Sequence, residues 1–312
     1  MNTPEFNKYF TQYIETLIGA KKSVKTITAY KIVLSKFSKF LALNTPNNSR
    51  KIEPITIVNY RTKLYSLGLK TNTVRYNLIV LRTFFEWLVR MNLLDKNPVE
   101  QREIPKEQQI EYNLLSLCEI KQILTETPPK INKKFLRNRT IVVLLIQSGM
   151  RNSELRMLTV ADLDFKNGFI TVQHGKGDKN RVVPFPKLSR ELVLRYLRNV
   201  RPKSLTDNDF LFGNCANKSG HKANKKTWKS LTPQALLGLV NRYTRRCSGH
   251  KVGVHALRHA AASLWDDLGI TIRDIQNALG HSSISTTEKI YVKVLNKIKT
   301  ASKINTALDE MV

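Results

Sequence analysis

Two short clusters contain the residue types that phosphate chemistry needs. Arg151 follows a strongly apolar run that ends at Gly149, and His255 and Arg258 lie three positions apart. On a helix, residues at that spacing share one face. The arginine guanidinium stays charged and can donate to phosphate oxygens in pairs, while a neighbouring imidazole can move a proton. His255 and Arg258 therefore predict a phosphate-activating pair. Arg151 suits phosphate binding, although it could instead form only a structural ion pair with Glu154.

Two further clusters supply a lysine, a histidine and a tyrosine. Lys176 lies between two glycines at a predicted hairpin tip, so it could act as a general acid or simply contact a phosphate. His281 follows a Leu-Gly pair, and Tyr291 comes ten positions later. A single tyrosine so near the C-terminus is usually a packing residue. A chemical role for Tyr291 is indicated only when the other clusters are considered with it. His259 by itself fits helix packing.

The charge balance indicates a polyanionic partner. The chain has 312 residues, with 52 Lys and Arg against 24 Asp and Glu, which leaves a net charge of +28. Nucleic acid is the default partner of such a chain, and an anionic membrane surface is the second choice. The longest aliphatic run, residues 141–146, is far too short to span a membrane and predicts a buried helix. We therefore expect DNA, and no membrane, as the partner.

The cysteine content indicates a reducing compartment. Three cysteines are too few for a disulfide framework, so we expect a cytoplasmic, nucleoid-associated protein. A zinc site is disfavoured because the available ligands are irregularly spaced. Those ligands are Cys215, His221, Cys247 and His250.

Helical periodicity over the first 100 residues predicts four amphipathic helices. Thr26 and Thr71 are predicted N-caps, Leu67 is predicted to be a core residue of the third helix, and Gly68 is predicted to end that helix. A polar stretch from 97 to about 109 lacks apolar periodicity and is interpreted as an extended linker. The predicted organisation is a helical domain over 1–100, a linker over 101–112 and a second domain over 113–312.

The second domain contains a predicted β-hairpin. Residues 169–172 and 181–184 are β-branched runs that flank a Gly/Asp/Asn turn. The remainder is predicted to be helical, apart from a basic loop from Lys218 to Lys229. That loop could be a DNA-contacting insertion or only a solvated segment.

The ordered set of clusters closely resembles the tyrosine recombinase (phage integrase) family, including its Xer-type members. The set is Arg151, Lys176, His255-x-x-Arg258, Leu-Gly-His281 and Tyr291, and the N-terminal part adds Thr26 with Tyr30, Gly68-Leu69-Lys70-x-x-Thr73, Leu81-Arg82-x-Phe84-Phe85 and Asn97-Pro98. The resemblance covers nearly the whole chain. It implies a mainly α fold, with a four-helix SAM-like core-binding domain and a mixed α+β catalytic domain that has a small antiparallel sheet.

The resemblance also implies how the reacting groups would be used. Tyr291 would attack a DNA phosphodiester, form a 3′-phosphotyrosyl bond and release a 5′-hydroxyl. Lys176 would protonate the departing 5′-oxygen, and His255 would take part in proton transfer with the tyrosine. Since the phosphotyrosine stores the bond energy, the family's chemistry implies no metal and no other cofactor.

The remaining site residues would bind or orient. Arg151 and Arg258 would hold the non-bridging oxygens and stabilise the charge of the pentavalent transition state. His281 would hydrogen-bond the phosphate. Glu154 and His259 would lie behind these groups and orient them.

The implied partner is double-stranded DNA with a specific core site, bound by a homo- or hetero-tetramer that works through a Holliday junction. The apolar residues after Tyr291 would dock on a neighbouring protomer, or else fold back on their own domain. Basic residues chosen as candidate DNA contacts are Lys21, Lys22, Lys25, Lys70, Arg75, Arg82, Lys179 and Arg181.

Two alternative functions share these features. One is a type IB topoisomerase, which relaxes supercoils without a specific site. The other is an accessory DNA-binding relative that has lost catalysis. The ten-residue interval between His281 and Tyr291 is the one feature favouring the latter, because family members often show nine.

Overall fold

The computed structural model describes residues 1–44, 51–108, 114–126, 132–173, 180–213 and 228–280. The chain divides into two compact units, Met1–Glu111 and Tyr112–Val312. Within the described ranges no helix combines the length and apolar character needed to cross a membrane. Several predicted site residues lie outside these ranges, namely Lys176, Lys179, His281 and Tyr291, as do Cys215 and His221 of the disfavoured zinc set.

The N-terminal unit contains the four predicted helices. They are α1 (Thr3–Gly19), α2 (Val24–Asn44), α3 (Pro54–Ser66) and α4 (Thr71–Arg90). Aromatic rings from three of them meet in the core, where Phe6 and Phe84 are edge-to-face with centroids 5.1 Å apart and Phe37 lies 5.3 Å from Phe6. Such pairs add about 0.5–1.5 kcal/mol beyond the burial of their apolar area. The aromatic cluster therefore joins α1, α2 and α4.

The helix starts differ from the predicted caps. Ser23 precedes α2, and its Oγ accepts the Thr26 amide at 3.2 Å, so the cap is Ser23 and not Thr26. Thr71 is the first residue of α4, and Lys70 is the N-cap, so the second cap prediction was also wrong. A capping side chain must precede the amide that it accepts by two or three residues, which periodicity alone does not locate.

The third helix ends as its glycine predicted. α3 stops at Ser66, and Gly68 follows with a φ of +74°, a left-handed value that suits glycine. Leu67 was predicted to be a core residue but is 63% exposed. It is the C-cap of α3, where the chain leaves the helix and turns the side chain away from the buried face.

The segment after α4 packs on the N-terminal unit as far as the structure describes it, to Gln108. Val99 and Ile104 are buried in that unit's core, and a short 3₁₀ turn covers Gln101–Glu103. Arg61 pairs with Glu103 at 2.6 Å. The interpretation as an extended linker is wrong for this part. Isolated apolar residues, one ion pair and several hydrogen bonds hold the segment although it has no periodicity.

The C-terminal unit is built around a buried helix. The helices among its described residues are α5 (Leu117–Thr125), α6 (Lys133–Ser148), α7 (Asn152–Met157), α8 (Lys187–Asn199), α9 (Pro233–Ser248), α10 (Val254–Asp267) and α11 (Ile272–Leu279). Residues 141–146 of α6 have no exposed surface, which confirms the predicted buried helix. α6 packs against both α8 and α10, so it supports the elements around it.

A three-stranded antiparallel sheet in the order β1-β2-β3 completes this unit. The strands are β1 (Leu163–Asp164), β2 (Phe169–Val172) and β3 (Arg181–Pro184). β2 and β3 pair in the register Phe169↔Pro184 and Ile170↔Val183, which confirms the predicted hairpin. β1 was not predicted, since two residues are too few to show alternation.

The described end of the basic stretch is anchored in the core. Trp228 is 7% exposed, and its indole nitrogen donates to the Phe210 carbonyl at 2.8 Å. Its ring lies against Gly213, where a Cβ atom would come within 2.5 Å of the indole. Trp228 is thus a packing residue, while residues 218–227 of that stretch lie outside the described ranges.

Replacing Gly149 by alanine is expected to destabilise the protein by about 2–4 kcal/mol, measured by denaturant unfolding. Gly149 has a φ of +62°, and an added Cβ would lie 2.6 Å from Leu279 Cδ2 and 3.1 Å from Trp265 Cη2. The matched control is Gly249→Ala, whose φ is +79° but whose Cβ would meet nothing within 4 Å. The control should lose only the backbone cost of about 1–2 kcal/mol. Equal losses would show that the close contact at Gly149 has no energetic effect.

Candidate active site

Arg151 is placed by a chain reversal between two helices. α6 ends at Gly149, whose left-handed backbone turns the chain, and α7 begins at Asn152 with Arg151 as its N-cap. The Arg151 amide donates to Glu154 Oε2 at 2.6 Å. A carboxylate at this position satisfies a helix N-terminal amide and favours the positive end of the helix dipole. The backbone of Arg151 is therefore fixed by the buried end of α6 on one side and by Glu154 on the other.

α10 presents the second cluster. His255, Arg258 and His259 lie in its first two turns, with Arg258 and His259 almost fully buried and His255 reaching solvent. The imidazoles of His255 and His259 are edge-to-face with centroids 4.9 Å apart. His259 is thus in contact with His255, and its expected role in orienting that ring stays a prediction.

The buried side chain of Arg258 hydrogen-bonds to the C-terminal ends of two helices, α6 and α11. Its Nη1 donates to the Gly149 carbonyl at 2.6 Å, and its Nη2 donates to the Leu279 carbonyl. The C-terminal ends of helices are negative, so a guanidinium is stabilised there. Arg151 reaches the same place, because its Nη2 donates to the Gly280 carbonyl at 2.7 Å. The two arginines from separate clusters therefore meet at the end of α11.

Glu154 is the anion that balances this positive charge. Its side chain is 4% exposed, and its Oε1 accepts from Arg151 Nη1 at 2.9 Å. Arg181 donates to both of its carboxylate oxygens, at 2.6 and 2.7 Å. Burial alone would raise the pKa of Glu154, but the hydrogen bonds from Arg181 and Arg151 outweigh burial and lower it to about 2. Glu154 is charged throughout the neutral range.

Arg151 does form the structural ion pair with Glu154. This pair does not exclude phosphate binding, because each terminal nitrogen of a guanidinium has two hydrogens and Arg151 uses one on each for the contacts described. The same arginine can be held by protein groups and present its free edge to a ligand.

Arg181 occupies a position that sequence reasoning missed. It was chosen as a candidate DNA contact, but its side chain is only 12% exposed and is bound to Glu154. Its Nε also donates to the Ala278 carbonyl at 3.2 Å. The available signal was its place directly after the hairpin turn, which did not distinguish an outward basic residue from an inward one.

His255 is suited to accept a proton. Partial desolvation by the cleft walls, followed by the positive charges of Arg258 and Arg151, lowers the pKa of His255 below its ordinary value. A neutral imidazole is then the main form near pH 7, which is the form that a general base requires. His255 lines the cleft and is exposed, so a proton donor can reach its ring.

These groups line a single cleft of about 400 Å³. The structure brings Arg151, His255 and Arg258 together in it, although they are separated by up to 107 positions in the chain. The start of α9 also lines the cleft, with Pro233, Gln234 and Leu237. Two guanidinium groups beside a neutral imidazole can bind one phosphate group and accept one proton.

The candidate DNA contacts of the N-terminal unit differ in how exposed their side chains are and in whether they are bound within the unit. The four lysines are exposed, as is expected of residues that contact the DNA backbone. They are Lys21, Lys22, Lys25 and Lys70. Arg75 and Arg82 are half-buried and bound within their own unit, Arg75 to the Pro105 carbonyl at 2.8 Å and Arg82 to Glu86 at 2.8 Å. All six remain predictions as DNA contacts.

The disfavoured zinc ligands can be followed in part. In the portion of the chain that the structure describes, no group of three or more His, Cys, Asp or Glu side chains converges on one point. Cys247 is buried in α9. His250 Nδ1 lies 3.0 Å from Glu119 Oε1, which links the loop before α10 to the start of α5.

Both units match known domains at the level of sequence. Residues 114–297 match the phage integrase family, and residues 10–92 match the phage integrase N-terminal SAM-like domain. Tyrosine recombinase XerA from Pyrococcus furiosus is 32% identical over 290 residues, covering 92% of this chain and 89% of XerA. Tyrosine recombinase XerC from Lacticaseibacillus casei is 29% identical over 290 residues, covering 91% and 92%.

Solved structures agree with these matches. The Tn1549 transposon integrase in complex with circular intermediate DNA has a TM-score of 0.68 at 19% identity, over 92% of this chain and 94% of that one. XerH site-specific recombinase bound to a palindromic difH substrate has a TM-score of 0.66 at 24% identity, over 91% and 81%. The predicted two-domain tyrosine-recombinase fold is confirmed. The chain belongs to the phage integrase family.

Glu154→Gln is expected to lower the free energy of unfolding by about 3 kcal/mol at pH 7. The carboxylate has a folded pKa of about 2 against an ordinary 4.5, so its contribution is complete above pH 4.5 and is lost as pH falls toward 2. Urea unfolding at pH 7 and pH 3 should therefore show a smaller difference from the parent protein at pH 3.

The matched control is Glu191→Gln, which neutralises an exposed carboxylate on α8. It should change the unfolding free energy by less than about 0.5 kcal/mol at either pH. If Glu154→Gln were equally destabilising at both pH values, the effect would come from altered packing and not from the charge of Glu154.

Proposed function

We propose that the chain is a site-specific tyrosine recombinase, which cuts DNA strands and rejoins them to new partners. The observation that carries the proposal is the convergence of Arg151, His255 and Arg258 in one cleft of a phage integrase family chain. That cleft supplies two of the functions a phosphoryl transfer needs, namely charge stabilisation and proton acceptance.

Arg151 and Arg258 bind the scissile phosphate in this mechanism. Both guanidinium groups are held by backbone carbonyls and, for Arg151, by Glu154, so little reorganisation is needed when the phosphate arrives. Preorganised donors of this kind stabilise the extra negative charge of a pentavalent transition state. Both arginines line the cleft, where Arg151 is half-buried and Arg258 is almost fully buried.

The nucleophile is Tyr291, which we assign from the family resemblance. Its hydroxyl oxygen bonds to phosphorus as the bond from phosphorus to the 5′-oxygen breaks. His255 accepts the proton of the tyrosine, and Lys176 supplies a proton to the departing 5′-oxygen. His281 donates a hydrogen bond to the phosphate. The products are a 3′-phosphotyrosyl bond and a free 5′-hydroxyl, and attack by a 5′-hydroxyl of a second strand reverses the step.

Both units are proposed to contact the DNA duplex. The first 112 residues hold 18 basic and 9 acidic residues, a net charge of +9, and the remaining residues hold 34 and 15, a net charge of +19. Contacts from lysine and arginine to phosphates position such a protein without reading sequence. We propose residues 1–100 as the core-binding domain and 113–312 as the catalytic domain.

The assembly that we propose is a tetramer on two duplexes, formed by this chain alone or with a related recombinase. Exchange of two strand pairs requires four nucleophiles, one for each strand that is cut. A Holliday junction is the intermediate after the first pair has exchanged. The apolar residues that follow Tyr291 in the sequence are proposed to dock on a neighbouring protomer.

Tyr291→Phe is expected to leave DNA binding unchanged and to abolish the covalent protein–DNA adduct, since phenylalanine has no attacking oxygen. The measurement is adduct formation on a nicked suicide substrate, resolved by denaturing electrophoresis. Tyr243→Phe is the matched control, because it removes a hydroxyl from the preceding tyrosine of the chain, which is buried in α9.

A persistent adduct in Tyr291→Phe would show that another residue is the nucleophile. Relaxation of a supercoiled plasmid that lacks any core site would instead support a type IB topoisomerase. The absence of an adduct in the parent protein on every cognate substrate would support an accessory DNA-binding relative.

Arg151→Ala is expected to reduce the rate of strand cleavage by about 100- to 1,000-fold, the usual loss when one preorganised donor to a transition state is removed. DNA binding should weaken only slightly. Single-turnover cleavage and filter binding at the same ionic strength separate the two effects. Arg195→Ala is the charge-matched control, because it removes an exposed arginine from α8. Similar cleavage rates in the two variants would contradict phosphate binding by Arg151.

A further inference from the structure

Three arginines hold the C-terminal end of α11. Arg181 Nε donates to the Ala278 carbonyl at 3.2 Å, Arg258 Nη2 donates to the Leu279 carbonyl, and Arg151 Nη2 donates to the Gly280 carbonyl at 2.7 Å. The three carbonyls are consecutive, and the three arginines come from β3, α10 and the start of α7. One helix end thus receives one guanidinium from each of three separate elements.

Helix chemistry explains why the arginines gather there. The last carbonyls of a helix have no partner within it, and they form the negative end of the helix dipole. Each guanidinium satisfies one carbonyl and is stabilised by that negative end. α11 is only eight residues long, and these three contacts add to the packing of Ile275 and Leu279 in fixing the position of its end.

Two of the three arginines already have a proposed function in phosphate binding, and Arg181 has none. Its bidentate pair with Glu154 uses Nη1 and Nη2, while its Nε is used for Ala278. With the Arg151 amide and the Arg151 guanidinium also bound, Glu154 accepts four hydrogen bonds from two residues. Removal of Arg181 would therefore loosen Arg151 as well as α11.

The fit around Arg181 is close. Gly280 has a φ of +65°, and a Cβ atom there would lie 2.9 Å from Arg181 Cδ and 3.2 Å from its Nε. The glycine thus lets the arginine chain pass directly against the backbone at the end of α11. His281 is the next residue in the sequence.

We propose that Arg181 is a positioning residue for strand cleavage, which orients Arg151 through Glu154 and fixes the end of α11 immediately before His281. Arg181 itself does not touch the phosphate. The inference rests on the proposed recombinase function. It replaces the expectation that Arg181 contacts DNA, because the Arg181 guanidinium is bound to Glu154 and to the Ala278 carbonyl.

The test compares Arg181→Met and Arg181→Lys with the parent protein on a nicked suicide substrate. We expect the first-order cleavage rate at saturating DNA to fall about 100-fold in Arg181→Met, the loss typical of a small misplacement of reacting groups. The dissociation constant for DNA should change less than about threefold. Arg181→Lys keeps the charge and one hydrogen bond, so it should recover part of the rate.

Arg190→Met is the matched control. Arg190 is a half-buried arginine of the same unit that donates to the Phe165 carbonyl at 3.0 Å, and none of its hydrogen bonds in the described structure involves α11 or Glu154. Its loss removes an equal charge and a similar backbone contact. The cleavage rate of Arg190→Met should match that of the parent protein within about twofold.

The pH profile distinguishes positioning from a general loss of structure. In the described residues, the charged groups that face Glu154 are Arg181 from β3 and Arg151 from its own turn, while α11 presents backbone carbonyls. Without Arg181, Glu154 loses two of its four hydrogen bonds, so its pKa rises from the low value in the parent protein, and its protonation would release Arg151. The ratio of parent to Arg181→Met cleavage rates should therefore increase as pH is lowered from 8 to 5.5.

Several results would overturn the proposal. They are an unchanged cleavage rate in Arg181→Met, a loss confined to DNA affinity, and a rate loss that is independent of pH and equal to the loss of folded protein. If Arg181→Met does not fold, Arg181→Lys carries the test, and parental cleavage by that variant at every pH would refute positioning. Failure of the parent protein to form an adduct would refute the recombinase function itself, which is a separate result.

Discussion

A buried carboxylate that binds two arginines is the interaction on which the candidate active site depends. Arg151 and Arg181 meet at this carboxylate and would otherwise repel each other, and Arg258 adds a third positive charge at the end of α11. Glu154 offsets part of that repulsion and gives two of the guanidinium groups fixed directions. The site can therefore be strongly positive before any phosphate is present, while its side chains remain ordered.

The buried helix α6 explains how the charged side chains of the site are held in defined positions. α6 has six consecutive residues without exposed surface. Because this helix is held in the core, the position of Gly149 directly after it is fixed. Arg258 then binds the carbonyl of that glycine from α10. Burial of apolar surface stabilises the platform, and hydrogen bonds to backbone atoms set the directions of the charged groups on it.

Much of this arrangement could be predicted from sequence, for identifiable reasons. The helices of both units, the buried run in α6 and the hairpin follow from periodicity, which is a local property. The pairing of Arg151 with Glu154 follows from their spacing in one helical turn. The convergence of Arg151 with His255 and Arg258 is not local, and only the family resemblance predicted it.

Other features could not be predicted, because they depend on contacts distant in the chain. Arg181 looked like any basic residue beside a turn, and its inward direction is set by Glu154 and by the end of α11. Val99 and Ile104 lacked a pattern, yet they pack in the N-terminal core. The cap predictions for Thr26 and Thr71 were wrong because both residues lie inside their helices, which begin at Val24 and at Thr71 itself.

The contacts at the end of α11 are made to backbone carbonyls, and this has a consequence for how the site can vary. Every residue type provides a carbonyl, so the polar contacts to positions 278 and 279 place no demand on the side chains there. Those side chains are free to change with their own packing while the arginines keep their partners. We therefore expect little correlated substitution between these arginines and α11. Their contact would be found from a structure and not from a comparison of sequences.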